Sequence, residues 1–308
     1  MGRPRGALRA ACLVALVALL AGGCARSEGP WAQGGAAGLR VVATTTQVAD
    51  LVAQVGGDRV DLVTLLKPGI DAHDYEPSPA DIEAIATAQL VVENGVGLES
   101  WLADTIESSG YDGPVVDASQ GVALRQVGGA PDPHIWQDPG NAMVMAANIE
   151  RGLAGVGPEW AGTFAANLAA YTAELKALDA EVERQTAGLA SRELVTNHDA
   201  FGYYLDRYHL ELVGSVIPSF DSSAELSGRD LRDLVAKVRA TRAKAIFSET
   251  SLPPKAAETI GREAGVRVVT GEDALYGDAL GPSGSDGDTY IKMIEHNTRT
   301  IVSNLSAS

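Results

Sequence analysis

Short apolar runs alternate with amphipathic segments along nearly the whole chain after residue 38. In the first half these patterns predict strands at 39–44, 60–66, 90–93 and 114–117 and helices at 47–55, 78–88 and 99–108. The second helix carries its own start signal, because Ser78 is a good N-cap and Pro79 suits the first helical position. Strands and helices in this alternating order indicate a parallel sheet wrapped by helices.

The same alternation returns after residue 190. There the patterns predict strands at 193–196, 211–217, 243–247 and 266–269 and helices at 200–208, 228–241, 254–264 and 288–305. No internal repeat of 20–50 residues is visible, so the two halves share an architecture and not a sequence. The predicted fold class is α/β, with two (β/α) lobes that each contain a parallel sheet.

A long helical segment separates the two halves. Residues 159–189 contain no proline, and apolar side chains recur there every three or four residues. At 1.5 Å per residue such a helix would run about 40 Å or more, enough to join two lobes as a strut. Pairing with a second helix in a coiled coil is the alternative, but the pattern does not persist beyond this one segment. The predicted boundaries are 39–153 for the N-terminal lobe, 154–190 for the connecting helix and 191–308 for the C-terminal lobe.

The first 23 residues have the organisation of a secretory signal peptide. Three arginines precede an apolar stretch at 10–20, which is shorter than the roughly 20 residues that a membrane span needs. Small residues then end at Cys24 as in a bacterial lipobox, although Ala21 stands where leucine is usual. We expect a lipid on Cys24 and a flexible Gly- and Ala-rich tether over 24–38. Ordinary secretion, with Cys24 incidental, is the alternative.

Composition removes several function classes. The chain has two cysteines, and Cys12 lies in the predicted signal peptide, so the mature chain has no internal disulfide and no cysteine for a metal site. The formal net charge is −16, and it becomes −19 once the three arginines leave with the signal peptide. A chain this acidic repels phosphate backbones, so nucleic acid is not an expected partner. With 45% hydrophobic residues, the chain can bury two modest cores.

Four polar loops carry the candidate chemistry. His73, His134, His198 and Asp278 lie among Gly, Pro, Asp or Asn, at intervals of 61, 64 and 80 residues. Ligands of parallel α/β sheets bind beyond the carboxyl ends of the strands, so two of these side chains from each half can meet in a cleft between the lobes. Spacing alone leaves a shared metal site open, because the chain has no short ligand pair such as His-x-x-x-His. The other two histidines, His209 before a predicted strand and His296 in the last helix, have ordinary structural explanations.

The loops resemble four motifs of the solute-binding lipoproteins that serve zinc and manganese ABC transporters (cluster A-I, cluster 9). The matching segments are GIDAHDYEP at 69–77, DPHIWQDP at 132–139, HDAFGY at 198–203 and DAL at 278–280. The resemblance covers about residues 39–305. It implies two (β/α) lobes joined by one long helix, with a metal ion held in the cleft by His73, His134, His198 and Asp278. Ala72 replaces the usual proline before His73, which loosens that loop.

The ligand set favours one metal over another. Three neutral imidazoles and one carboxylate suit four-coordinate zinc, whereas manganese prefers more oxygen ligands and a higher coordination number. Zinc is therefore the predicted transported ion and manganese the alternative. No histidine lies between His73 and His134, so the His-rich loop common in zinc-specific members is absent, which weakens the zinc assignment.

A zinc-dependent hydrolase is the main alternative of a different class. A hydrolytic site keeps one coordination position open for water and needs a nearby base. Four protein ligands would fill a tetrahedron, so we predict no catalytic residues and no enzyme. Glu249, Glu76 and Asp138 are instead expected to orient the ligands. A surface adhesin is a further alternative that nothing in the sequence demands.

The sequence thus predicts a monomeric receptor, anchored by lipid to the outer face of the cytoplasmic membrane. It would capture zinc and deliver it to an ABC permease driven by a cytoplasmic ATPase. Ligand imidazoles must be deprotonated, and the ordinary histidine pKa is near 6.5, so affinity is expected to fall below about pH 6.

Overall fold

A computed structural model describes residues 1–2, 38–222 and 227–306. The predicted signal peptide beyond Gly2, the proposed lipid-bearing Cys24 and the predicted tether before Gly38 lie outside these residues. None of the helices in the described ranges combines the length and apolar character needed to cross a bilayer.

The first lobe is built on a four-stranded parallel sheet. Its strands are β1 (Leu39–Ala43), β2 (Val60–Thr64), β3 (Leu90–Glu93) and β4 (Val115–Asp117), in the order β2-β1-β3-β4. Helices α1 (Thr46–Gly56), α2 (Pro79–Ala86) and α3 (Leu102–Ser109) connect them. As predicted, Ser78 caps α2: its hydroxyl accepts from Asp81 N, and the Asp81 carboxylate accepts from Ser78 N in return.

A short hairpin and two helices link this sheet to the second one. The hairpin pairs β5 (Gln126–Val127) with β6 (Ala130–Pro131), and it leads through a 3₁₀ turn at Ile135–Gln137 into α4 (Pro139–Val156). Helix α5 (Ala161–Ala187) follows and has 27 residues, about 40 Å at 1.5 Å per residue. It is the predicted long helix, shortened at its start because Pro158–Trp160 forms a separate 3₁₀ turn.

The second lobe repeats the topology of the first. Its parallel strands are β7 (Glu193–His198), β8 (Glu211–Ile217), β9 (Ala245–Phe247) and β10 (Arg267–Val269), in the order β10-β9-β7-β8. Helices α6 (Gly202–Arg207), α7 (Gly228–Thr241) and α8 (Lys255–Ala264) lie between the strands, and α9 (Tyr290–Ser306) follows them. In each sheet the first strand lies between the second and the third. The strand order therefore reverses at β1/β3 and at β7/β9, where α/β sheets place their ligands.

Most of the buried apolar side chains form one core that both lobes share. It joins Val42 and Leu51 of the first lobe, Phe164 of α5, and Tyr204 and Ile294 of the second lobe. Pulling the lobes apart would expose this apolar surface to water, at a free-energy cost of roughly 25 cal/mol per Å². Packing therefore holds the two sheets together. A smaller core lies within the second lobe, between its sheet and helices α7 and α8.

The predicted α/β fold with two lobes, parallel sheets and a connecting helix is confirmed. The described residues from Gly38 onward belong to one compact unit, Ala37–Ser308. The residue limits that we predicted for the separate lobes stay a prediction.

Candidate metal centre

The four candidate ligands lie on loops and strand ends at the junction of the two lobes. His73 is on the loop between β2 and α2, and His134 directly precedes the 3₁₀ turn before α4. His198 is the last residue of β7, and Asp278 lies on the segment between β10 and α9. Taking one ligand atom from each residue, all four atoms lie within 4.8 Å of one another. The structure therefore brings together all four residues that the sequence singles out.

The spacing between the ligand atoms matches a small coordination sphere. The Nε2 atom of His134 lies 3.3 Å from Nε2 of His73 and 3.4 Å from Nε2 of His198. Zinc with Zn–N distances of about 2.0–2.1 Å in a tetrahedron separates its ligand nitrogens by roughly 3.3–3.4 Å. The two measured separations therefore match two edges of such a tetrahedron.

The carboxylate of Asp278 is the clearest sign that the site binds a cation. The residue is 1% exposed, and among the described residues neither carboxylate oxygen has a hydrogen-bond partner. Its Oδ1 lies 3.4 Å from His134 Nε2, and its Oδ2 lies 3.2 Å from His198 Nε2. A buried carboxylate without hydrogen bonds is costly unless a positive charge compensates it. Both oxygens face the imidazole nitrogens, so the group is placed to bind a cation.

Two of the histidines are oriented in the same way by carboxylates. Asp132 Oδ1 lies 2.8 Å from His134 Nδ1 and accepts the backbone N–H of His134 at 3.0 Å. Glu249 Oε1 lies 3.0 Å from His198 Nδ1 and likewise accepts the backbone N–H of that histidine at 3.0 Å. With Nδ1–H bound to a carboxylate, each ring directs Nε2 toward the other ligands. The pattern occurs once in each lobe.

His73 is held more loosely than the other ligands. It is half-buried, whereas His134, His198 and Asp278 are buried. Its backbone N–H donates to Asp71 Oδ1 at 2.9 Å, and the other oxygen of Asp71 accepts from the hydroxyl of Ser222 in the second lobe. The loop that carries His73 is therefore tied across the cleft, although its imidazole has no carboxylate on Nδ1 among the described residues.

The chain matches the family model described as ZnuA, zinc-uptake complex component A periplasmic, over residues 41–304. The chain belongs to the ZnuA family. The predicted family is thereby confirmed, and membership makes the protein a periplasmic metal-binding component of an ABC transporter.

Relatives of this ZnuA-family protein carry the names of different metals. The manganese-binding lipoprotein MntA of Halalkalibacterium halodurans is 30% identical and covers 96% of this chain and 97% of its own length. The solved structure of the periplasmic zinc-binding protein TroA from Treponema pallidum is 29% identical, with a TM-score of 0.82, and covers 87% of this chain and 99% of its own. Iron(III)-bound YtgA from Chlamydia trachomatis is 27% identical, with a TM-score of 0.78, and covers 87% and 98%. Family membership thus leaves the metal unassigned.

We expected three residues to orient the ligands, and the structure places them differently. Glu249 contacts His198 as described above. Glu76 is exposed, and Asp138 caps α4, where its Oδ1 accepts the N–H of Gly140 at 2.6 Å. Within the described part of the ZnuA-family chain, neither Glu76 nor Asp138 has a hydrogen bond to a candidate ligand. Asp132 takes the orienting position instead, and its place two residues before His134 was the available signal.

The remaining two histidines have structural positions. His209 lies in a turn with a φ of 56°, and it precedes β8. His296 is buried in α9, with its Nε2 atom 3.0 Å from the carbonyl oxygen of Ala274. Among the described residues, the cluster of candidate ligands contains neither of them.

The carboxylates dominate the electrostatics of the site. Burial lowers the pKa of His134, but Asp132 and Asp278 outweigh burial and raise that pKa to about 9. Burial likewise lowers the pKa of His198, but Asp278 and Glu249 outweigh burial and hold that pKa well above its usual value. Burial would raise the pKa of Asp278, yet the imidazolium groups of His198 and His134 hold it well below its usual range. Burial lowers the pKa of His73 despite the nearby Asp278. Without metal, the site is therefore a carboxylate between two protonated imidazoles.

A Glu249→Gln variant of the ZnuA-family protein is expected to bind metal about 10–100-fold more weakly. Glutamine has nearly the same shape as glutamate but carries no charge. In the unaltered protein, the charge of Glu249 fixes the His198 ring and makes its Nε2 atom a better ligand. Competition titration with a chromophoric chelator measures this loss. Glu76→Gln is the matched control, because Glu76 is exposed and should leave the affinity unchanged. Equal affinities in the two variants would contradict the orienting role of Glu249.

Proposed function

We propose that the protein captures one zinc ion with His73, His134, His198 and Asp278 and delivers it to an ABC permease and its ATPase. The observation that carries this proposal is the buried Asp278 carboxylate, which has no hydrogen bond of its own and faces two imidazole Nε2 atoms. Three imidazoles and one carboxylate form a set of donors that suits a divalent cation. In this proposal the protein acts as a monomer at the outer face of the cytoplasmic membrane, held there through a lipid on Cys24.

Two features support zinc. The imidazole nitrogens lie 3.3 and 3.4 Å apart, which is the spacing of a zinc tetrahedron. Three nitrogen ligands also favour zinc, and intrinsic affinity for divalent ions places zinc above manganese. TroA of Treponema pallidum, 31% identical over 274 residues, is named a zinc-binding protein.

Manganese is the second candidate because of one specific feature. Asp278 presents both oxygens to the site, one toward His134 and one toward His198. A carboxylate that binds through both oxygens would supply a fifth ligand atom, and manganese favours more oxygen ligands and a higher coordination number. The 30% identical MntA of Halalkalibacterium halodurans is named for manganese.

Transport fits the site better than hydrolysis does. The two carboxylates closest to the imidazoles, Asp132 and Glu249, are both bound to imidazole Nδ1 atoms. Both lie at the Nδ1 side of their imidazoles, whereas the other candidate ligands lie at the Nε2 side, so neither is placed as the base that a hydrolytic zinc site requires. The four ligands would also occupy every position of a tetrahedral ion.

Elemental analysis of the purified protein, followed by competitive titration with zinc and manganese, tests this proposal. We expect one metal ion per chain and displacement of manganese by an equal concentration of zinc. Displacement of zinc by manganese would overturn the zinc assignment and favour the manganese alternative. Metal-dependent turnover of ester, peptide or phosphate substrates would overturn the assignment to transport.

A further inference from the structure

The segment that carries Asp278 belongs to the second lobe, yet residues of the first lobe hold its backbone. The carbonyl oxygen of Gly277 accepts three N–H groups: Gln47 Nε2 at 3.4 Å, Trp136 Nε1 at 3.1 Å and Gln137 Nε2 at 3.2 Å. A carbonyl oxygen has two lone pairs, so three donors saturate it. We call this arrangement the Gly277 clamp.

The clamp acts directly on the candidate ligand. The Gly277 carbonyl belongs to the same planar peptide group as the backbone nitrogen of Asp278. On the other side of Asp278, the N–H of Leu280 donates to Thr46 Oγ1 at 2.8 Å. Apart from the two imidazoles that it faces, the Asp278 carboxylate has no partner among the described residues, so these backbone contacts help to fix its position.

The donors themselves are fixed by their surroundings. Thr46 Oγ1 donates to Gln47 Oε1 at 3.1 Å, which leaves the NH₂ group of that glutamine for the Gly277 carbonyl. Trp136 and Gln137 lie in the 3₁₀ turn that directly follows His134, and Tyr290 donates its hydroxyl to the Trp136 carbonyl at 2.7 Å. All three donor residues are 0–1% exposed. The turn that follows one candidate ligand thus also holds the backbone of another.

Gly277 also leaves no room on its other side. A Cβ atom at this position would lie 2.1 Å from Glu249 Oε2, the carboxylate that orients His198. The Gly277 peptide is therefore packed between the donors of the first lobe and the support of the second-lobe histidine. Three of the four candidate ligands, His134, His198 and Asp278, are linked through it.

We propose that Gln47, Trp136 and Gln137 are positioning residues that place the Asp278 carboxylate for metal binding through the Gly277 carbonyl. The inference rests on the proposed function, in which Asp278 is a ligand. A glutamine replaced by methionine keeps its length but loses its N–H donor. The peptide is then free to shift, and the carboxylate no longer has a fixed distance to the imidazoles.

The test measures zinc affinity of Gln47→Met, Gln137→Met and the double variant by chelator competition. Each single variant should lose about 10-fold and the double variant about 100-fold, the range found for residues that support metal ligands. Gln54→Met is the matched control, because Gln54 lies on the same helix as Gln47, is exposed and donates to Asp50 Oδ1. Unchanged affinity in the clamp variants would overturn the proposal. Should Gln137→Met fail to fold, Gln47→Met decides the question alone.

A merely structural role is excluded by repeating the substitutions in two other backgrounds. In Asp278→Ala the clamp substitutions should change zinc affinity by less than about twofold, because the group that they position is gone. In His73→Ala the full loss should remain. An equal loss in both backgrounds would overturn positioning of Asp278. Zinc binding by Asp278→Ala as tight as by the unaltered protein would instead overturn the ligand set, and the clamp role with it.

Bound Co²⁺ supplies a readout that general destabilisation does not move. The visible absorption of Co²⁺ depends on its coordination number and geometry, and it can be recorded with the site saturated. The double variant should change the shape of this spectrum, whereas Gln54→Met should not. Identical spectra in both, at saturation, would count against any change in the position of Asp278.

Discussion

An Asp278→Asn variant is expected to bind zinc at least about 100-fold more weakly than the unaltered protein. Zinc sites with four protein ligands bind with about 10–16 kcal/mol, so one ligand contributes roughly 3 kcal/mol, or about two powers of ten in affinity. Asparagine keeps the shape of the side chain, but it removes the charge and replaces one acceptor oxygen by an NH₂ group. The metal-free protein should keep its fold but melt at a lower temperature, because the charge that faces His134 and His198 is removed.

Thermal unfolding with and without zinc checks this expectation. A ligand at 100 times its dissociation constant adds about 2.7 kcal/mol to a folded state that alone binds it. The unaltered protein should therefore melt at a higher temperature with zinc and return to its original midpoint with a chelator, while Asp278→Asn shows almost no shift. Asp74→Asn is the matched control, since Asp74 is an exposed carboxylate next to His73. A full zinc-induced shift in Asp278→Asn would remove this residue from the site.

Most of the fold could be predicted from the sequence, because the signals that specify strands and helices are local. Strands β3 and β8 and helix α7 lie at the predicted residues, since an apolar run or amphipathic period specifies each one. The helix predicted at 99–108 begins instead at Leu102. Glu99 does not join this helix, because its buried carboxylate accepts the backbone N–H groups of Asn94 and Gly95. Such a contact between a side chain and the preceding loop is invisible to a helical pattern.

The hairpin of β5 and β6 was not predicted, although its signal is present. Gly128 and Gly129 connect the two strands, and both have positive φ values, 62° and 88°. Two glycines in left-handed conformations are the usual connection of a two-residue β-hairpin. The strands themselves have only two residues each, too few for an alternating pattern.

The sequence singled out the four candidate ligands that the structure brings together, but it missed some of the residues that contact them. The four ligand candidates could be found because each stands in a short motif with its polar neighbours. The residues around them act across long sequence distances: Gln47 reaches Gly277 over 230 positions. A glutamine in a helix carries no sign of such a contact. Asp138, although part of the same motif as His134, is used to cap a helix.

The buried charges around the ligands are expected to make metal affinity strongly dependent on pH. Asp132 is paired with the guanidinium of Arg125, which donates to its Oδ2 at 3.1 Å. Within the described residues, Asp278 and Glu249 have no lysine or arginine partner, so the buried site holds two uncompensated negative charges. Raised pKa values place one proton on each of His134 and His198 in the metal-free protein. A divalent ion therefore replaces two protons.

Metal affinity is accordingly expected to rise with pH through neutrality, by about one to two powers of ten per pH unit, until pH approaches 9. The pKa of His134 is about 9 in the folded protein and near 6.5 in the unfolded chain. This difference stabilises the metal-free fold fully below pH 6.5 and is lost as pH rises through 9. The metal-free melting temperature should thus fall over the same interval in which the zinc-induced increase grows. Ordinary imidazoles would place the change in affinity near pH 6.

Calorimetric zinc titrations at pH 7, in buffers with different ionisation enthalpies, count the protons released. We expect about two per ion, whereas three imidazoles with ordinary pKa values would together release fewer than about one. Asp132→Asn is the informative variant, because it removes a carboxylate that raises the pKa of His134 and should reduce the count to about one. A release below one proton from the unaltered protein would mean that His134 and His198 are neutral before metal arrives, and that the two buried carboxylates are balanced in some other way.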